Sequence, residues 1–276
     1  MGRFANTWRL TKTSWSLLKQ DRELLWLPVL SMLTILAIVA AAAVVGFVTG
    51  SFDADGGTEG LGGSAAVLGL VFAFVVTASV IFFEGALVAG AHERMTGGDP
   101  TVRSAMSKAA TRLPSLLGWA LITMTVGLLL RFLRERMGWL GQMLTFLAEA
   151  AWGVATYLVV PAIIIDDYRS FAGVKQSMSL VRRTWGENLI SQAGFGLLSF
   201  VLSLPIVIVA VLIATLVPGV GTVIGIVVGV AGVLAVTVVV SALGLYFKTA
   251  LYEYATDGVA HGGYDVNQMR DSFRTK

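Results

Sequence analysis

Six apolar stretches, each long enough to cross a lipid bilayer, constrain this chain more than any other feature. They cover residues 27–49, 64–91, 113–130, 139–165, 189–217 and 221–247. A hydrocarbon core of ~30 Å needs about 20 predominantly apolar residues in a helix. Inside that core every backbone polar group must be satisfied within its own segment, so helices are the expected form. Composition agrees: hydrophobic residues make up 56% of the 276 and charged residues only 13%, against about 25% charge in a soluble domain. The mean hydropathy is +0.79. A soluble globular fold is excluded. The expected fold class is all-α, a polytopic helical membrane protein forming one integral membrane domain over residues 1–276. The first stretch begins only at Leu27, so it reads as a retained span, although Ala41 to Ala43 resemble a cleavage site.

The placement of Lys and Arg predicts orientation, because basic residues collect on the cytoplasmic side. Arg3, Arg9, Lys12, Lys19 and Arg22 precede the first span; Arg94, Arg103, Lys108 and Arg112 follow the second. Arg169, Lys175, Arg182 and Arg183 follow the fourth, and Lys248, Arg270, Arg274 and Lys276 lie in the carboxyl tail, residues 248–276. Together these are 17 of the 20 basic residues. The opposite side holds Arg131, Arg134 and Arg136, and its first loop carries Asp53, Asp55 and Glu59 without a base. Both termini are expected in the cytoplasm, in a multi-pass protein of the cytoplasmic membrane. The three outer arginines are discordant; snorkelling to head groups is the expected explanation.

Three segments between spans predict amphipathic helices on the cytoplasmic side. Over residues 3–20, Phe4, Trp8, Thr11, Trp15 and Leu18 recur at helical spacing. Over 99–112, Asp99 is positioned to cap a helix opened by Pro100, with Val102, Ala105, Met106, Ala109 and Leu113 on one side. Over 169–187 the stripe is Phe171, Val174, Met178, Val181 and Trp185. Each segment is basic and precedes two spans, so the chain reads as three units of surface helix plus hairpin. Such helices suit a leaflet of anionic lipid, the expected partner, with Trp8, Trp15 and Trp185 as surface anchors.

Within the spans, Gly221, Gly225 and Gly229 form a small-residue face that lets another backbone approach, either inside the chain or in a homo-oligomer. Pro205 predicts a kink in the fifth span. Val217-Pro218-Gly219-Val220 makes the last two spans antiparallel neighbours. Two acids lie inside apolar runs, Glu84 and Glu149. A central acid costs about 3 kcal/mol on insertion scales, so each needs a partner, a proton or water. The candidate intramembrane polar site is therefore Glu84 and Glu149, with Lys248 as a further partner for Glu84.

Other chemistry is not indicated. There is no cysteine, hence no thiolate nucleophile or thiolate metal site. His92-Glu93 opens like a metalloprotease helix, but the second ligand position is Thr96. Asp166-Asp167 lacks the third acid of a magnesium motif and reads as a helix cap. The glycine-rich run 56–63 reads as a flexible outer loop. No metal, cofactor or enzyme activity is expected, and the scattered basic residues do not suit nucleic acid.

Three phrases carry a resemblance. Lys19-Gln20-Asp21-Arg22-Glu23-Leu24-Leu25 with Leu27-Pro28-Val29-Leu30-Ser31 is the first. Val160-Pro161 through Asp166, with Ser177 and Trp185-Gly186-Glu187-Asn188, is the second. Ala250-Leu251-Tyr252-Glu253-Tyr254-Ala255-Thr256-Asp257-Gly258, with Phe273 near a terminal lysine, is the third. Together they resemble an uncharacterised family of bacterial and archaeal six-span membrane proteins, catalogued as a domain of unknown function. The resemblance implies topology and membrane type, not activity. The expected function is a non-enzymatic membrane scaffold or lipid-associating protein; the alternative is a small-solute or ion channel or transporter built on Glu84 and Glu149.

Overall fold

The structure, a computed structural model, describes residues 13–48, 63–185, 193–217, 219–259 and 262–264. Trp8, the loop between the first two spans and the chain after Tyr264 lie outside the described residues, as do Gly186 to Asn188. Helix α1 occupies residues 13–20. A 3₁₀ turn over Arg22–Leu25 leads into α2, Trp26–Val48. Then follow α3 (Gly63–Met95), α4 (Val102–Thr111), α5 (Leu113–Arg136) and α6 (Gly138–Ala155). The order ends with α7 (Val159–Ile165), α8 (Ser170–Trp185), α9 (Ala193–Leu216) and α10 (Gly221–Asp257). Among the described residues the fold is all-α, with six helical segments long and apolar enough to cross a bilayer, α6 and α7 together making one of them. It is a multi-pass membrane protein. A short helix followed by two long apolar segments recurs three times in this order.

Several helices outrun their apolar stretches. Helix α3 has 33 residues and α10 has 37, about 50 and 55 Å at helical rise, while the hydrocarbon core is ~30 Å. Burial shows where the surplus goes. In α3 no residue over 66–80 is buried, whereas every residue over 85–91 is. In α10 none is buried over 226–239, and most are over 240–253. Helix α5 is buried at its start, at Leu116, Trp119 and Ala120, and nowhere after. Each of these helices thus keeps an apolar surface suited to lipid along one stretch. It spends the stretch beside its basic flank on protein packing. The apolar run ahead of Glu84 is itself long enough to span, which sets Glu84 at the edge of the core instead of deep within it.

Contacts divide the chain into two compact units. The first comprises Met1–Pro28, Ala91–Thr101 and Arg182–Lys276; the second, Val29–Gly90 and Val102–Val181. In the first unit α9 packs along α10, the expected antiparallel pair. The glycine face makes that contact: a Cβ at Gly225 would stand 2.5 Å from the Ala210 carbonyl oxygen, and one at Gly221 2.7 Å from that of Ile213. The helix continues through Pro205. In the second unit α5 turns into α6 through Met137 alone, with Gly138 at φ 58° supplying the left-handed conformation this reversal requires.

The fourth span departs from the unbroken helix over 139–165 that its hydropathy predicts. It breaks between Ala155 and Val159. Pro161 is the cause: in a continuous helix its absent N–H would leave the Tyr157 carbonyl without a donor. Restarting at Val159 puts proline in the first turn, where no intrahelical donor is needed.

Candidate functional site

Buried polar residues concentrate in two clusters, one in each compact unit. In the first unit, Asp21 sits just before the 3₁₀ turn and has a side chain 3% exposed. Arg94, in the last turn of α3, places its guanidinium against both Asp21 oxygens, with Nε donating at 2.5 Å. The same guanidinium donates to Asp99 at 2.7 Å. Asp99 therefore serves Arg94, and α4 opens three residues later at Val102, so the expected cap is corrected. Two residues before Arg94, His92 Nδ1 lies 2.6 Å from Glu253 Oε1 of α10, whose carboxylate is buried. Ser14 of α1 and Tyr264 share a buried hydrogen bond of 2.6 Å. Burial, only partly offset by that bond, holds the Tyr264 phenol above the ordinary tyrosine range. Lys248 is also buried here, as are Tyr246 and Thr249.

In the second unit the break in the fourth span is closed by a side chain from α8. Ser177 is fully buried; its hydroxyl donates to the Ala155 carbonyl at 2.7 Å and accepts from the Leu158 N–H at 3.1 Å. Non-helical backbone at membrane depth is tolerated where protein satisfies it, and here one serine supplies both bonds. Helix α8 reaches this position because Gly173 lets it approach: a Cβ there would lie 3.3 Å from Ile163. Ser170 donates to the Ser115 carbonyl at 2.7 Å. The stripe expected on α8 divides accordingly. Val174 and Val181 are buried with Leu180, while Phe171 is 77% exposed and Met178 is exposed too. Asp167, expected to cap α8, instead adopts φ 61° and pairs with Arg112.

The discordant charges of the α5–α6 hairpin answer one another. Arg134 pairs with Glu149, and its Nε donates to Thr145 at 3.3 Å. Arg131 pairs with Glu135 one turn on, and Arg136 covers the Phe132 ring at 4.9 Å. Glu84 is half-buried, within electrostatic reach of the Tyr157 hydroxyl beside the break. Of the candidate residues, Glu84 and Glu149 fall in the second unit and Lys248 in the first. Trp15 is exposed and carries Lys19 over its ring at 5.4 Å. Trp185 closes α8. Among the described residues no three His, Cys, Asp or Glu lie close enough to share a metal.

Sequence reasoning missed Asp21, Ser177 and Glu253 as buried polar residues. The signal was present: all three fall within the short phrases that carry the family resemblance, as does Pro161. A family model described as a family of unknown function (DUF6159) matches residues 64–263. No curated protein matches the chain, and no solved structure does.

Proposed function

The chain belongs to this family of unknown function, DUF6159, and because membership brings no activity with it we propose from the site alone that the protein is a non-enzymatic scaffold of the cytoplasmic membrane. In this reading both termini face the cytoplasm, and α1, α4 and α8 meet an anionic leaflet through their basic faces. The observation that carries it is the engagement of acids by bases inside the chain: Glu149 by Arg134, Asp21 by Arg94, Asp167 by Arg112 and Glu253 by His92. Acids tied up in this way hold helices in register and do not form a lane for a moving cation. The glycine face of α10 is occupied by α9, so self-association uses another face.

One feature favours transport as the second reading. Transporters bind solutes at broken helices, and Glu84 stands near such a break. Against it, the backbone groups freed there are already bonded by Ser177. Reconstitution into liposomes with an internal pH dye and a potassium gradient separates the two. The scaffold reading expects proton and potassium leak equal to that of protein-free vesicles. A leak present in the wild type and abolished in E84Q at unchanged thermal stability would establish transport instead. E84Q is the informative variant because it leaves the Arg134–Glu149 pair intact.

A further inference from the structure

Helix α4 presents three rows of residues with separate roles. Ala105 and Ala109 are buried against protein. The neighbouring row, Val102, Met106 and Ala110, lines an open groove of about 550 Å³ whose other wall is Phe82 of α3. Along the rim run Arg103 and Ser107, four residues apart and therefore on one face. Both are exposed. Among the described residues Arg103 has no acidic partner, unlike Arg94, Arg112, Arg131 and Arg134.

The level of the groove matters as much as its lining. Phe82 stands two residues before Glu84, where the exposed apolar surface of α3 gives way to its buried stretch. The groove therefore opens at the edge of the hydrocarbon, its accessible lining apolar, with the exposed Arg103 among the residues that form it. One occupant matches both halves. We propose that this groove holds a single anionic phospholipid, its phosphate accepting hydrogen bonds from Arg103 and Ser107 and one acyl chain lying along Val102, Met106, Ala110 and Phe82. A guanidinium binds a phosphate through charge-assisted, often bidentate hydrogen bonds, and the apolar row supplies the area that a chain buries. The inference rests on the scaffold reading for its membrane and anionic leaflet only, not for the absence of transport.

Titration of the full-length protein in a neutral detergent, followed by native mass spectrometry, tests it. Phosphatidylglycerol and phosphatidylcholine with the same chains are the probes, and the first lipid bound is quantified. Phosphatidylglycerol is expected to bind more tightly. R103Q, at an exposed position, is expected to weaken it about tenfold, the scale of one charged hydrogen bond, and to leave phosphatidylcholine unchanged. A110W, which fills the groove, should weaken both lipids. R131Q, at the far end of α5, controls for loss of any positive charge. Equal losses in R103Q and R131Q would overturn the proposal. So would displacement of the lipid by soluble glycerol phosphate, which marks a site for a free anion. An ion leak in the liposome assay would defeat the scaffold reading and leave this titration unaltered.

Discussion

Arg94 distinguishes its two acidic partners by their surroundings. Asp21 has a side chain 3% exposed, and Asp99 one 93% exposed, around the same guanidinium. Removing one member of a buried pair strands the other's charge, a loss of about 3 kcal/mol; an exposed pair contributes about 0–1 kcal/mol. D21N is therefore expected to lower the thermal midpoint of the detergent-solubilised protein clearly, and D99N barely. Equal shifts would show that Asp21 is not the buried anchor. Asp21 was visible in the sequence only as one charge among several in Lys19-Gln20-Asp21-Arg22-Glu23. Charge type is local information, whereas the position of Arg94, 73 residues away, is not. Over a shorter separation of 15 residues the same limit holds for Glu149. Its need for a partner follows from the cost of an acid in hydrocarbon, but the choice of Arg134 depends on how α5 crosses α6.

At the scale of elements, the two helices of the broken fourth span depend on a third. Across the gap between α6 and α7, Ser177 Oγ bonds both the Ala155 carbonyl and the Leu158 N–H. S177A leaves a buried carbonyl and a buried N–H without those bonds, each worth about 1–3 kcal/mol when stranded. The expected result is a lower thermal midpoint, with hydrogen exchange raised locally over residues 156–160 and unchanged in α9 and α10. Uniform exchange across the chain would instead place the loss in general stability. The spans themselves were legible because hydropathy averages over some twenty residues and tolerates error at the ends. Their true limits were not. Helix α10 runs on past its apolar stretch with residues 248–253 buried, and α3 with His92 and Arg94 engaged by Glu253 and Asp21; burial by a distant segment leaves no periodic mark. The break at Ala155 had a mark, Pro161, masked by the unbroken apolar run around it.

At the scale of the whole chain, sidedness is the property most open to direct measurement. The protein contains no cysteine, so single introduced thiols report without background. T58C in the first outer loop is expected to react with a membrane-impermeant maleimide in intact cells. S272C in the carboxyl tail is expected to react only after permeabilisation. The reverse pattern would invert the topology and move the basic helices away from the anionic leaflet.

The number of spans, their helical form and the predicted sidedness followed from sequence because each depends on sums over local composition: apolar length against bilayer thickness, and basic charge on either flank. The candidate site did not follow in the same way. Glu84 and Glu149 stood out as costly residues, yet their neighbours, the pairing of Arg94 with Asp21, and the serine that closes the fourth span were decided by which helices meet. Those meetings bury polar groups at distances a few tenths of an ångström can spoil, between residues tens to hundreds of positions apart, and no local average of the sequence carries that information.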